Sequence, residues 1–315
     1  MKTKVLATVM LFLTAMIWGF AFVAQVLGSD HVEPFTFNGI RFMLGAISLI
    51  PVYSIFEKEQ ELTSAQRKER HKHTLLPALC AGSCLFIAAA LQQFGAALTR
   101  DPGKGGFITG LYTVLTPVFY FLIFRKKSGW NVWLACILAT LGLYMLCIRE
   151  GEGLSFGVGE LLLLLGAFFW AGHILVVDHF IDHISPLRFS SWQFFVSGAL
   201  GLIAAVIFEN ITWAGIWAAK WAILFCGILS VGVAYTFQVF AQKRYEPTYA
   251  AIIFSTESVF AAIGGVLWNL ITPENLHVQQ ELRPIGYLGC LIIFAGIVIS
   301  QIQFPKKQAS PEQLN

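Results

Sequence analysis

Charge is what this 315-residue sequence has least of: Asp, Glu, Lys and Arg together make up 12% of it, about half the roughly 25% of a soluble domain. A soluble globule needs a charged, hydrated surface, so that class is excluded. Metal and thiol signatures are also missing. The six cysteines (Cys80, Cys84, Cys136, Cys147, Cys226, Cys290) all fall in apolar stretches without a CxxC pair, as small packing residues do. The histidines of the polar connections, His71, His73, His179 and His183, form no HExxH, so neither a metal site nor any cofactor is expected. The net charge of +3 is not gathered into a basic stripe, which argues against a nucleic-acid partner. No paired carboxylates and no Ser/His/Asp set lie at one depth, so an enzyme is not expected. A non-transporting sensor would be favoured by a large soluble domain, and there is no polar tract long enough for one.

What the chain does have is apolar length. Hydrophobic residues make up 57% and aromatic residues 14%, with a mean hydropathy of +0.69. Only a segment facing lipid is apolar on nearly every side while bonding its backbone internally. Reading apolar runs against turn and charge clusters predicts spans at 5–27, 35–56, 75–98, 106–124, 130–148, 157–177, 188–208, 217–240, 248–270 and 284–303. The first run follows Lys2 and Lys4 as a signal peptide would, but it is long enough to span and is assigned to helix one. Residues 57–74 read as a solvated loop, with a short surface helix as the alternative.

Loop charges orient the spans. With both termini cytoplasmic, the inner side holds Lys2, Lys4, Lys58, Arg67, Lys68, Arg70, Lys72, Arg125, Lys126, Lys127, Arg188, Lys243, Arg244, Lys306 and Lys307, against Arg100, Lys104, Arg149, Lys220 and Arg283 outside. That is the asymmetry of the positive-inside rule, and it places the chain as a multi-pass protein of the inner or plasma membrane.

The two halves resemble each other at steady offsets. Adding 152 carries Trp18 to Trp170, Pro34 to Pro186 and Phe42 to Phe194; 145 carries Gly82 to Gly227 and Gln93 to Gln238; 141 sets TPVFYF on ESVFAA; 154 carries Cys136 to Cys290 and Gly142 to Gly296. Five spans per repeat is odd, so the second repeat enters from the opposite side. The expected fold is an all-α integral membrane protein of ten transmembrane helices in two inverted five-helix repeats, 1–150 and 151–305, with a cytoplasmic tail at 306–315. Inverted repeats are a recurring transporter architecture, with the substrate site at the midplane between them.

Polar groups inside the spans are costly and mark candidate function. Glu257 lies about nine residues into helix nine, roughly 14 Å deep. It either faces a cavity, where it binds a cationic group or carries a coupled proton, or is a structural carboxylate paired with a hydroxyl or with Arg41. Its repeat mate Thr116 belongs to a helix-four stripe with Thr109, Tyr112 and Thr113. Trp18, Phe22 and Gln25 share one face of helix one, and Trp170 and His173 the matching face of helix six. These aromatics suit an organic small-molecule substrate or simply pack, and His173 is a second candidate for a proton. Gln92, Gln93, Tyr235 and Gln238 place polar groups on helices three and eight, for a cavity or for interhelical hydrogen bonds. Arg41, seven residues into helix two, reads as structural, and Lys104 as a solvated loop lysine. No oligomeric state follows.

WGFAFVAQ, FNGIRF, GKGGFITGLYTVLTPVF and YAAIIFSTESVFAAIGG, in this order along residues 5–303, resemble the drug/metabolite transporter superfamily, in particular its EamA-like ten-helix permeases. The resemblance implies a basket of helices around a central cavity lined mainly by helices one, three, four, six, eight and nine. It also implies efflux of small metabolites, amino acids or drug-like cations; uptake of a nutrient or vitamin is the alternative. One departure is Glu257-Ser258, where Glu-Pro is frequent, so helix nine is expected to kink less.

Overall fold

The computed structural model describes residues 2–56, 64–147, 157–181, 185–272, 278 and 284–301, and every regular element in them is helical. In chain order these are α1 (Lys2–Gly28), α2 (Pro34–Phe56), α3 (Ser64–Thr99), α4 (Pro102–Gly110), α5 (Tyr112–Phe124), α6 (Trp130–Cys147), α7 (Val158–Phe180) and α8 (Pro186–Phe208). Then follow α9 (Trp213–Ala218), α10 (Lys220–Leu224), a π-helical stretch (Phe225–Tyr235), α11 (Thr236–Gln242), α12 (Pro247–Phe254), α13 (Glu257–Ile271) and α14 (Pro284–Gln301). Five helices open on proline, whose missing N–H and fixed φ suit the first helical position. Before α4, the Asp101 carboxylate also accepts the Lys104 N–H at 3.0 Å.

Eight helical stretches are long and apolar enough to cross a membrane; Trp130–Met145 and Pro284–Ser300 are apolar but shorter. Large apolar side chains cover the outside, among them Val206 at 74% and Leu291 at 67% exposure. Such a surface would aggregate in water and is stable against lipid. The charged segment differs from its expected loop: Ser64–Thr99 is one continuous helix, so the polar residues from Ser64 extend helix three beyond its apolar run. Residues 57–63 lie outside the described residues.

Two spans are interrupted near their middles. The fourth breaks at Leu111, between α4 and α5, and the ninth at Ser255–Thr256, between α12 and α13. The ninth is interrupted although no proline stands there. The Ser255 and Thr256 hydroxyls each donate at 2.7 Å to the carbonyls three residues back, Ile252 and Ile253, and such local bonds compete with the helical pattern. In the eighth span the π-helical winding turns carbonyls sideways, and α1 takes them: Thr14 Oγ1 donates to Ala234 O at 3.0 Å and Trp18 Nε1 to Ser230 O at 3.3 Å.

Small residues let the backbones approach. A Cβ at Gly82 of α3 would meet Gln193 O and the Val196 side chain of α8; one at Gly227 would meet Arg41 O and the Leu44 side chain of α2. Likewise, one at Gly142 of α6 would meet Gly289 O and Ile293 N of α14, and one at Gly296 would meet Ala135 O and Ala139 N. Helix ends are tied as well. The Glu209 carboxylate, just beyond α8, accepts Phe35 N at 2.6 Å, and Thr36 N and Oγ1 at 2.7 Å each. In return Glu33 Oε1 accepts Asn210 N at 3.1 Å. A carboxylate at the exposed N–H groups of a helix start is favourably placed.

Candidate functional site

The interrupted helices cross at the centre of the molecule. Ser258 Oγ of α13 donates to Gly106 O of α4 at 2.6 Å, and Thr113 Oγ1 of α5 to Ala251 O of α12 at 3.2 Å. The two spans thus run antiparallel, with their breaks side by side. Against this crossing lies a small cavity of about 30 Å³. On the measure by which a single water needs about 10–15 Å³, it has room for two or so waters and none for an organic solute.

Aromatic rings form its walls. Tyr235, at the end of the π-helical stretch, is the hub: Trp18 lies 4.6 Å away, Trp170 stacks at 6.0 Å, and His173 meets it edge-on at 6.1 Å. Polar groups converge between the rings. His173 is fully buried and its Nε2 is 3.0 Å from Gln193 Oε1. Gln238 Nε2 donates to Gln242 Oε1 at 2.9 Å, and Gln242 Nε2 to Ile174 O at 3.0 Å. Tyr112 Oη and Glu257 Oε1 are both buried at this cavity without a hydrogen-bond partner among the described residues.

Of the expected site residues, Trp18, Gln25, Gln92, Tyr112, Trp170, His173, Tyr235, Gln238 and Glu257 all border this one cavity. Two do not. Thr116 turns back to donate to Tyr112 O at 2.7 Å, and Gln93 donates to Gln25 O at 3.0 Å, tying α3 to α1. Arg41, read from the sequence as structural, also reaches the cavity from α2 and makes no ion pair with Glu257 among the described residues. Ser230, which the sequence reading did not single out, enters through π-helical winding that no residue pattern announces.

The buried polar atoms concentrate here. Eight of the sixteen buried side-chain N and O atoms without a hydrogen-bond partner among the described residues belong to cavity residues, including Gln25 Oε1, Arg41 Nη2, Trp170 Nε1, His173 Nδ1, Gln238 Oε1 and Glu257 Oε1. Each such atom costs about 1–3 kcal/mol when left unsatisfied, so packing alone does not explain the cluster. A larger crevice of about 790 Å³ lies between α1, α10 and α13, but Asp30 and His31 at one end are its only charged or titratable lining. It lacks the convergent polar groups of a solute site. Among the described residues no three His, Cys, Asp or Glu side chains are grouped as a metal site requires.

Beyond one end of the cavity, Arg100 Nη2 pairs with Asp30 Oδ1 at 2.7 Å, and Lys104 pairs with Glu160. Lys104 is therefore not the solvated lysine expected; its partner at the start of α7 comes close only in the folded chain.

A multi-pass helical membrane protein with a small, polar-lined cavity between its spans fits the class of solute-moving proteins. The EamA-like transporter family profile matches twice, over residues 5–148 and 157–302, and the chain belongs to that family. It is 25% identical to an uncharacterized transporter of Archaeoglobus fulgidus over 295 residues, covering 92% of this chain and 84% of the relative. It is 24% identical over 300 residues to the uncharacterized transporter YoaV of Bacillus subtilis, covering 93% and 96%. One solved crystal structure shares the fold with a TM-score of 0.70 at 16% identity, covering 94% of this chain and 96% of the other. The protein is a membrane transporter.

Proposed function

We propose that this transporter moves a small organic metabolite, such as an amino acid or amine, outward by alternating access between two inverted five-helix halves. The halves are residues 1–150 and 151–305, ten spans in all, followed by a cytoplasmic tail at 306–315. The observation that carries the reading is the small cavity at the crossing of two interrupted helices, where buried polar atoms without partners among the described residues converge. A site at the midplane, built on discontinuous helices, is what alternating access requires.

The glycine contacts support the inverted repeat. Adding 152 to Arg41 and Leu44 gives Gln193 and Val196, and adding 145 to Gly82 gives Gly227. The Gly82 contact on α8 and the Gly227 contact on α2 are thus one contact made twice. An offset of 154 relates the Gly142 and Gly296 contacts in the same way. A two-fold axis in the membrane plane produces such pairs.

Glu257 is the residue for a cationic group of the solute or for a coupled proton, with His173 the second proton candidate. Purified protein in liposomes, screened against pooled metabolites with and without a pH gradient, should show saturable flux that Glu257→Gln reduces or uncouples from pH. Unchanged flux and pH dependence in the variant would remove Glu257 from the mechanism. No flux for any solute would overturn the transport reading. Cytoplasmic termini of a cell-membrane protein predict fluorescence from a reporter fused after Asn315 and no exposure of that reporter to external protease.

A further inference from the structure

Two short polar contacts join the halves at opposite ends of α1. At one end Lys104 of α4 pairs with Glu160 Oε1 of α7, while Glu160 Oε2 accepts the Gly157 N–H of its own helix start at 3.0 Å. At the other, Tyr245 Oη, just before α12, bonds Thr8 Oγ1 of α1 at 2.5 Å, and the Lys4 ammonium lies 5.4 Å from the centre of the Tyr245 ring. Asp30, just past the end of α1, pairs with Arg100, one turn before Lys104. The two contacts therefore lie a helix length apart, about 30 Å for the stretch from Thr8 to Gly28.

They also occupy matching places in the repeat. The crossing at the centre gives the register: 145 carries Pro102 to Pro247, Gly106 to Ala251 and Thr113 to Ser258, so the bonds from Ser258 to Gly106 O and from Thr113 to Ala251 O are the same bond made twice. That offset is one helical turn from the 141 of the letter match, and it sets Tyr112 rather than Thr116 against Glu257, both on the cavity. The same 145 carries Arg100 to Tyr245, and 152 carries Thr8 to Glu160. Tyr245 thus stands one turn before the counterpart of Lys104, and each meets the start of the first span of the other half. Ten residues further along those two spans stand Trp18 and Trp170, about 15 Å away on the cavity wall. The cavity lies midway between the two contacts.

We propose that Lys104–Glu160 and Thr8–Tyr245 are the two gate latches of this transporter, broken in alternation: the first when the site opens past α4 and α7, the second when it opens past α1 and α12. This rests on the alternating-access reading above and assigns its two mouths to named pairs. Halves that rock about a midplane site separate at one mouth while they meet at the other. A bond across one mouth therefore favours the state open at the opposite mouth, and weakening it shifts the population the other way. The chemistry of the two differs. The Lys104 and Glu160 side chains are 32% and 12% exposed, so their attraction is moderated by solvent and salt. The hydroxyl pair carries no charge to screen.

The test uses the full-length protein in intact cells, with Ser230→Cys as a reporter on the cavity wall and a membrane-impermeant maleimide added outside. Labelling is read against the same chain with Ser230 retained, which subtracts the native cysteines. Lys104→Met should change the labelling rate about two- to fivefold, the population shift that a partly exposed ion pair supports. Tyr245→Phe should change it by a similar factor in the opposite direction. With cytoplasmic termini Lys104→Met is the variant that raises labelling; in either orientation the two signs are opposed. Lys104→Glu, which sets two carboxylates together, should move labelling further than Lys104→Met, and adding Glu160→Lys should bring it back, a rescue that damage to the fold would not show. Labelling that neither variant changes, or that both move in one direction, overturns the latches even where liposomes carry a solute. Liposomes that carry nothing overturn the transport reading instead, so the two failures are distinct.

Discussion

The Ser258 hydroxyl of α13 donates a 2.6 Å hydrogen bond to the Gly106 carbonyl of α4, joining two helix halves far apart in sequence. The bond stands beside the cavity, one residue after Glu257, and a Cβ at Gly106 would come within 3.0 Å of Ser258 Cα. Close approach and hydrogen bond depend on one another. Ser258→Ala should lower stability by about 0.5–1.5 kcal/mol, the range for interhelical bonds in membranes, read as an earlier unfolding midpoint in detergent. An unchanged midpoint would mean that the two halves are held by packing alone.

Glycine positions should differ sharply in tolerance. At Gly82 a Cβ would lie 2.7 Å from Gln193 O, a backbone atom, whereas at Gly166 the nearest atoms are 3.5 Å away. Gly82→Ala should cost about 1–3 kcal/mol as overpacking, with Gly166→Ala near neutral. Gly227→Ala, at the related contact, should resemble Gly82→Ala in direction. Thermal denaturation of the three variants decides it.

Glu209 accepts three hydrogen bonds at the first turn of α2. Glu209→Gln keeps the shape but loses the charge that complements the helix start, and only one of its two terminal atoms remains an acceptor. The side chain is half-buried, so solvent moderates the loss to about 1–2 kcal/mol. Chemical denaturation should show that loss without any effect on solute binding, since Glu209 lies away from the cavity.

His173 and Gln193 form a pair that is wholly buried. Replacing one partner leaves the other unsatisfied, so His173→Phe and Gln193→Leu should each destabilise by about 1–3 kcal/mol. The double variant should cost less than the two singles added together, with a coupling of about 0.5–1.5 kcal/mol. Strict additivity in denaturation would show that the contact carries no energy of its own.

The apolar runs were legible because lipid imposes a length and composition on each span; breaks inside spans were not. Ser255 and Thr256 carry the means to interrupt a helix, but hydroxyls in a membrane helix also bond back without breaking it, so their pattern alone is ambiguous. The cavity was legible where tryptophans, amides and a carboxyl stood out against apolar neighbours. Thr116 and Gln93 stood out equally but turn to backbone carbonyls, a choice between partners that exist only once helices pack. Arg41 shows the converse: its span packs against α8, yet its side chain is long enough to border the cavity.

The sequence by itself determined that the chain lies in a membrane and where the five proline-opened helices start, since hydropathy and proline act locally. It also carried the repeat, and the family profile matches the chain twice, over residues 5–148 and 157–302. Only the tertiary structure decided which polar groups share one cavity and which find partners elsewhere. Hydrogen bonds and close backbone approach are pairwise, and the partners of Ser258, Lys104 and Arg41 come from remote parts of the chain or from a neighbouring turn. Where lipid offers no substitute partner, that pairing separates the buried groups bonded between helices from those left without a partner beside the cavity among the described residues.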